Sequence, residues 1–236
     1  MRKGTLYLIP VPLGLSPVEA VLPITVRDCA RGLKYFIAEN AKSARAFLKS
    51  LPCDTPLQQI DIQELNEHTP TAALSGLIKP LLEGNDAGLI SEAGCPAVAD
   101  PGAGLAALAH REGIRVVPLV GPSSILLALM GSGLSGQNFA FHGYLPAKHE
   151  ARQQRIRELE KDSLREKRTQ IFIETPYRNI QMLETLINTC STTTRICAAT
   201  DLTLNSESII TRTPPEWKQH NLPSIDRRPT VFLLQA

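Results

Sequence analysis

Short apolar runs alternate with helical patterns along the first half of the chain. Residues 5–9, TLYLI, are rich in strand formers and stop at the loop Pro10-Val11-Pro12-Leu13-Gly14. Residues 33–38, LKYFIA, repeat the pattern and stop at Glu39-Asn40, after which helix formers run over 41–51. Residues 71–83 predict a helix closed by Gly84, and 87–90 form a third apolar run. An alanine-rich helix over 103–112, a strand over 115–119 and an apolar helix over 125–130 follow. Short apolar strands separated by helices imply a parallel sheet covered on both faces.

The second half reads differently. Residues 148–168 mix Arg, Lys and Glu at high helical propensity, with Ile156, Leu159 and Leu164 as the apolar anchors of a helix with a wide solvated face. Strands are expected over 170–174, 195–200, 208–213 and 230–234, and a helix over 178–188. A Pro-rich connection around Pro214-Pro215-Glu216-Trp217 joins the last two strands, and the pattern suggests a mixed sheet with some antiparallel pairing. No internal repeat or low-complexity tract interrupts the chain.

Composition narrows the class without naming a function. The chain has 236 residues, 43% hydrophobic and 20% charged, as in an ordinary globular protein, and its net charge of +2 is too small for attraction of polyanions by the whole molecule. Cys29, Cys53, Cys95, Cys190 and Cys197 are odd in number and never in Cys-x-x-Cys spacing, so no disulfide framework or zinc site is expected. The N-terminal apolar run is cut by prolines before signal-peptide length, and no stretch reaches the roughly 18 apolar residues of a membrane helix. A cytoplasmic protein with no membrane or metal partner is the expectation.

Gly, Pro and Ser collect after the expected strands: at Pro12-Leu13-Gly14, at Ser91-Glu92-Ala93-Gly94-Cys95-Pro96, at Gly121-Pro122-Ser123-Ser124, and at Glu174-Thr175-Pro176-Tyr177-Arg178. Ligands of parallel α/β sheets bind outside the carboxyl ends of the strands, so these loops are candidates for the lining of one cleft. Gly14, Gly94 and Gly121 allow close backbone approach or positive φ, the prolines stiffen the turns, and Ser123 and Ser124 are placed to cap the helix that follows. Each loop alone reads more readily as an ordinary Gly/Pro turn, and their shared position after strands is what raises the functional reading. Phosphate-loop, dinucleotide and zinc-protease signatures are all missing. A nucleophilic Cys95 needs a base such as His142 or His149, and the histidines show no spacing that supplies one. Asp100-Pro101-Gly102 reads as a turn with a capping aspartate.

Together these segments resemble the class III S-adenosylmethionine-dependent methyltransferases of the tetrapyrrole methylase superfamily, most closely the branch that methylates ribose 2'-hydroxyls of small-subunit ribosomal RNA. The residues carrying the likeness are 4–8 with Pro12-Leu13-Gly14, Ala38-Glu39, 91–96, Asp100-Pro101-Gly102, 121–124, Ser132-Gly133-Leu134, 139–148 and 174–178. The resemblance implies two α/β domains, 1–118 with a parallel sheet and 119–236 with a mixed sheet, a cofactor cleft between them, and a homodimer. It places S-adenosylmethionine against Pro12, Gly14, Ser91, Glu92, Ala93, Gly94, Ser123, Ser124, Pro176 and Arg178, with Glu92 accepting a hydrogen bond from the ribose or amino group. A carboxylate at a helix start is the structural alternative for Glu92. Glu39, Glu174 and Tyr177 are the candidates for substrate contact or proton acceptance. Lys42, Arg45, Lys148, Arg152 and Arg155 are candidates for phosphate contact if the acceptor is RNA. Where that branch carries Glu-Asp-Thr-Arg and Ser-Asp-Ala-Gly, this chain has Glu39-Asn40-Ala41-Lys42 and Ser91-Glu92-Ala93-Gly94, and it stops soon after its last expected strand, short of the usual C-terminal extension. RNA methylation leads; methylation of a small molecule such as a tetrapyrrole and a non-catalytic cofactor-binding role are the alternatives.

Overall fold

Strands β2 (Tyr35–Ala38) and β4 (Ala87–Ile90) are buried at all four positions, which requires packed layers on both faces of their sheet. In this computed structural model, which describes residues 2–236, they lie at the centre of a five-stranded sheet. The order is β3 (Asp61–Glu64), β2, β4, β1 (Thr5–Leu8), β5 (Arg115–Pro118), and every pair is parallel. Side chains alternate across the strands. Phe36, Ala38 and Ile90 enter one core with α1 (Val18–Val21), α2 (Ile24–Gly32) and α3 (Ala41–Lys49). Tyr35, Ile37 and Leu89 enter the other with α4 (Leu74–Leu82) and α5 (Ala103–Arg111). Chain contacts define this unit as Met1–Ser123.

The second unit, Ser124–Ala236, opens with α6 (Ser124–Ser132). Its sheet runs β6 (Phe139–Tyr144), β7 (Thr169–Ile173), β10 (Thr230–Gln235), β8 (Arg195–Thr200), β9 (Ser208–Arg212). Only β6 and β7 pair in parallel; β10 is antiparallel to both neighbours, and so is β8 to β9. Helices α7 (His149–Glu166), α8 (Asn179–Thr189) and α9 (Pro214–Gln219) cover one face, where Phe172 and Phe232 stack with centroids 6.1 Å apart and Trp217 is fully enclosed. α6 packs against the other face so closely that a Cβ on Gly131 would lie 2.4 Å from Ile209.

The mixed second sheet and the parallel first one match the pattern of apolar runs. Four elements do not follow from it. β3, DIQE, has one half-buried residue because an edge strand pairs with a single neighbour. α1 and α2 each begin after a proline, Pro17 and Pro23, within a stretch that has no strong period. The Pro-rich connection after β9 contains α9, whose start carries a reciprocal cap: the Glu216 carboxylate accepts from Thr213 N (2.7 Å) and Thr213 Oγ1 (2.8 Å). In α7, Ile156 and Leu159 are buried as expected, but Leu164 is 70% exposed, and Arg152 is fully buried instead.

α3 is started by Asn40, whose Oδ1 accepts from Lys42 N (2.9 Å) and Ser43 N (3.3 Å). An uncharged asparagine therefore caps the helix here. Asn40→Ala is expected to lower unfolding free energy by about 1 kcal/mol in urea denaturation, and Asn40→Asp to leave it nearly unchanged. Equal stability of the alanine variant would show that the cap does not hold the helix.

Candidate active site

Parallel strands deliver their carboxyl ends to one edge of the first unit. β1 runs out through Ile9 and Pro10 to Val11, β2 to Glu39, and β4 to Ser91 and Glu92. Val11 and Gly94 exchange both backbone hydrogen bonds (2.9 and 3.1 Å), which ties the loop after β1 to the loop after β4. Gly94 makes this possible with a φ of 75°. A cavity of about 520 Å³ opens beside this tie, lined by Pro12, Leu13, Gly14, Phe47, Ser91 and Glu92 among others. Four residues expected at the cofactor, Pro12, Gly14, Ser91 and Glu92, are thereby brought together. Ala93 and Gly94 belong to the turn behind Glu92, and Gly121 is small for a packing reason, since a Cβ there would lie 2.3 Å from Pro10.

Three carboxylates gather at the ends of β2 and β4. Glu92 Oε1 accepts from Ser43 Oγ (2.8 Å), so it stands at a helix start, but that of α3 rather than of the next helix in sequence. Burial and the Glu92 charge raise the pKa of Glu39, against a lowering contribution from the Glu92 backbone N–H that it accepts. Burial, then Glu39 and Glu92, push Asp100 up to about 6, with Ser91 opposing through a hydrogen bond. Asp100 is not the helix cap expected of it: Gly102 (φ 128°) takes the cap position of α5, and no side chain caps the helix. The loop that carries Asp100 holds two alanines with positive φ, Ala97 (65°) and Ala99 (62°), a strained conformation of the sort that proteins keep near functional sites. Asp100 and Glu67 line a second cavity of about 520 Å³. Burial, followed by the Asp100 charge, raises the Cys95 thiol pKa, and its Sγ lies 3.4 Å from Pro122 O, neither of which suits a nucleophile.

In the second unit, Glu174 sits just beyond β7 with its side chain fully buried. Its Oε1 accepts from Thr175 N (2.7 Å), Thr175 Oγ1 (3.1 Å) and Arg178 Nη2 (2.6 Å), while Oε2 has no partner. The Arg178 guanidinium stacks over Tyr177 at 5.3 Å. Tyr177 is exposed, as are Pro176 and Lys148. Of the residues considered for phosphate contact, Arg152 is buried and donates to Ala147 O (3.2 Å), and Arg155 is paired with Glu158 at 3.2 Å. Arg152 is thus a packing residue, because its guanidinium is turned inward. Ser123 closes the first unit and Ser124 begins α6.

No family model matches the sequence. The chain is 31% identical over 213 residues to ribosomal RNA small subunit methyltransferase I of Vibrio cholerae, spanning 86% of this chain and 67% of that protein. It is 32% identical over 211 residues to the protein of the same name from Xylella fastidiosa, spanning 88% and 71%. The chain belongs to the ribosomal RNA small subunit methyltransferase I family. Its fold is shared with the methyltransferase CobJ (TM-score 0.63, 18% identity, 98% of this chain and 94% of that one). The uroporphyrin-III-C-methyltransferase of Thermus thermophilus has it too (TM-score 0.53, 18% identity, 100% and 93%). These likenesses show the shared arrangement of α/β units.

This family member is accordingly a methyltransferase and requires a methyl donor. Among the described residues no helix is long and apolar enough to cross a membrane. The carboxylate group is the part of its site that sequence reasoning only half found. Glu39 and Glu92 follow apolar runs and stand out, whereas Asp100 is ten residues from its strand and resembles a turn residue. Ser43 carries no signal at all, since its role depends on α3 passing Glu92.

The elevated pKa of Asp100 has a sign. The folded chain holds this proton more tightly than the unfolded chain, so folding is progressively disfavoured as pH rises from about 4 to about 6. Asp100→Asn is expected to remove that decline, so that the variant gains in urea midpoint relative to the parent between pH 4 and pH 7. Parallel pH profiles for the two proteins would contradict the raised pKa.

Proposed function

We propose that the chain transfers a methyl group from S-adenosylmethionine to a ribose 2'-hydroxyl of small-subunit ribosomal RNA. The observation that carries this reading is the family match over most of the chain, joined to a cavity of suitable size at the strand ends where its most motif-like loops meet. The cavity combines apolar walls, Pro12, Leu13 and Phe47, with the Glu92 carboxylate, a fitting set for a cationic ligand with an apolar body. When bound, S-adenosylmethionine supplies an already activated methyl group.

The protein's own work is placement and proton acceptance. Prolines 12 and 17 stiffen the loop over the cavity, lowering the entropy lost on ordering a ligand. Ser43 fixes the Glu92 carboxylate, leaving its remaining lone pairs for a hydroxyl or amino group. Glu39 is the favoured acceptor of the ribose proton, because its raised pKa makes it a stronger base than an ordinary carboxylate. Glu174 is less suited, with one oxygen committed to three donors, and we assign it to holding Arg178. Ser123, Ser124, Pro176 and Arg178 are cofactor contacts, and Tyr177 a substrate contact, on the strength of the resemblance alone. A cytoplasmic homodimer belongs to the same reading.

Calorimetry with S-adenosylmethionine and transfer of labelled methyl to an in vitro transcript of small-subunit ribosomal RNA test the proposal. Glu92→Ala is expected to weaken donor binding about tenfold or more. Glu39→Gln should leave donor binding intact and lower kcat about 10²- to 10⁴-fold. Absence of saturable donor binding by folded protein would overturn the reading. Transfer to a tetrapyrrole extract and not to RNA would replace it with small-molecule methylation.

A further inference from the structure

Helix α3, AKSARAFLK, contains three cations and no carboxylate. Successive residues step about 100° around a helix, so its side chains divide into three faces. Ala44 and Leu48 are buried in the core. Ser43 and Phe47 line the cavity that ends at Glu92. Lys42, Arg45 and Lys49, spaced i, i+3, i+7, form the third face, and all three are exposed.

None of these three cations has a carboxylate or hydrogen-bond partner among the described residues. The carboxylates near the start of the helix are engaged elsewhere: Glu64 accepts from Ala41 N (3.1 Å) and Glu92 from Ser43 Oγ (2.8 Å). Several cations on other helices are paired, although Arg111, Arg157, Lys161 and Lys218 are not among the described residues. Arg27 pairs with Glu19, Arg31 with Asp28 and Asp54, Lys79 with Glu83, and Arg165 with Asp162 and Glu166. Along α7 five basic residues are balanced by five acidic ones. Lys42 also lies in the first turn of α3, where the helix dipole disfavours a cation, so helix stability does not explain it.

We infer that the basic face of α3 is a docking surface for the phosphate backbone of the RNA substrate, laying one strand alongside the Glu92 cavity. The inference rests on RNA being the acceptor and adds where it is gripped. From Lys42 to Lys49 the helix rises about 10.5 Å, a length of about three nucleotide steps at ~3.4 Å of axis each. Such contacts are indifferent to base identity and set register and orientation, leaving recognition of the acceptor nucleotide to other groups.

The test is the salt dependence of binding to a small-subunit ribosomal RNA transcript between about 50 and about 200 mM KCl, where counterion release is readable. The triple variant Lys42→Gln, Arg45→Gln, Lys49→Gln is compared with the parent and with an α7 control, Arg157→Gln, Lys161→Gln. The triple variant is expected to bind more weakly and to lose about 2 to 3 units of slope in log K against log salt, at roughly 0.7–0.9 per phosphate. Its S-adenosylmethionine affinity and thermal midpoint should match the parent, and the α7 control should keep the parental slope. If the parent methylates RNA but the triple variant keeps its slope, this docking surface is wrong and the proposed function stands. If the parent neither binds nor methylates RNA, both fail. If the triple variant loses binding to polyglutamate while its RNA slope is unchanged, the face serves an acidic protein and the inference is overturned.

Discussion

The burial of β2 and β4 on both faces is the constraint from which the rest of the first unit follows. Four consecutive residues without exposure in each strand demand helices above and below, and parallel pairing demands that every connection return across a face. All five strands then end on the same edge. The first polar residues after the buried runs, Glu39 and Ser91-Glu92, are thereby delivered side by side although some fifty positions apart in the chain. The Val11–Gly94 bridge extends the same logic by one pairing beyond the sheet, and the cavity wall is its result.

Burying carboxylates and gathering them at that edge is electrostatically unfavourable, and the raised pKa values of Glu39 and Asp100, caused first by burial and then by the neighbouring charges, register the cost. Folding alone gives no reason to keep three acids there when Asn40 shows that a neutral residue can serve as cap nearby. A site that receives a cationic ligand and relieves a hydroxyl of its proton does give one, because each carboxylate is then stabilised by a partner that arrives with the substrate. The two positive-φ alanines ahead of Asp100 point the same way: local strain is tolerated where position matters more than stability.

Legibility in the sequence tracked how local the physics was. β2 and β4 are visible as apolar runs because a doubly buried strand needs nothing else, and α3 is visible from its formers and its Asn40 start. β3 is hidden because one edge pairing with β2 holds a polar DIQE segment that no pattern marks. α9 was legible in principle, through Thr213, Pro214 and Glu216, but the prolines read as a breaker when they occupy the helix's first turn. Arg152 shows the opposite error, a charge in a charged helix that points inward and donates to the preceding loop.

By itself the sequence determined the class of each sheet, the loops after the strands, and through their motifs the family to which the methyltransferase belongs, since these depend on neighbours within a dozen residues. Tertiary structure alone decided that Ser43 orients Glu92, that Asp100 joins Glu39 rather than capping α5, and that the cations of α3 have no ion-pair partner among the described residues. These are relations between segments far apart in the chain. Their energies depend on distance and burial after folding, quantities that no residue carries in its own identity.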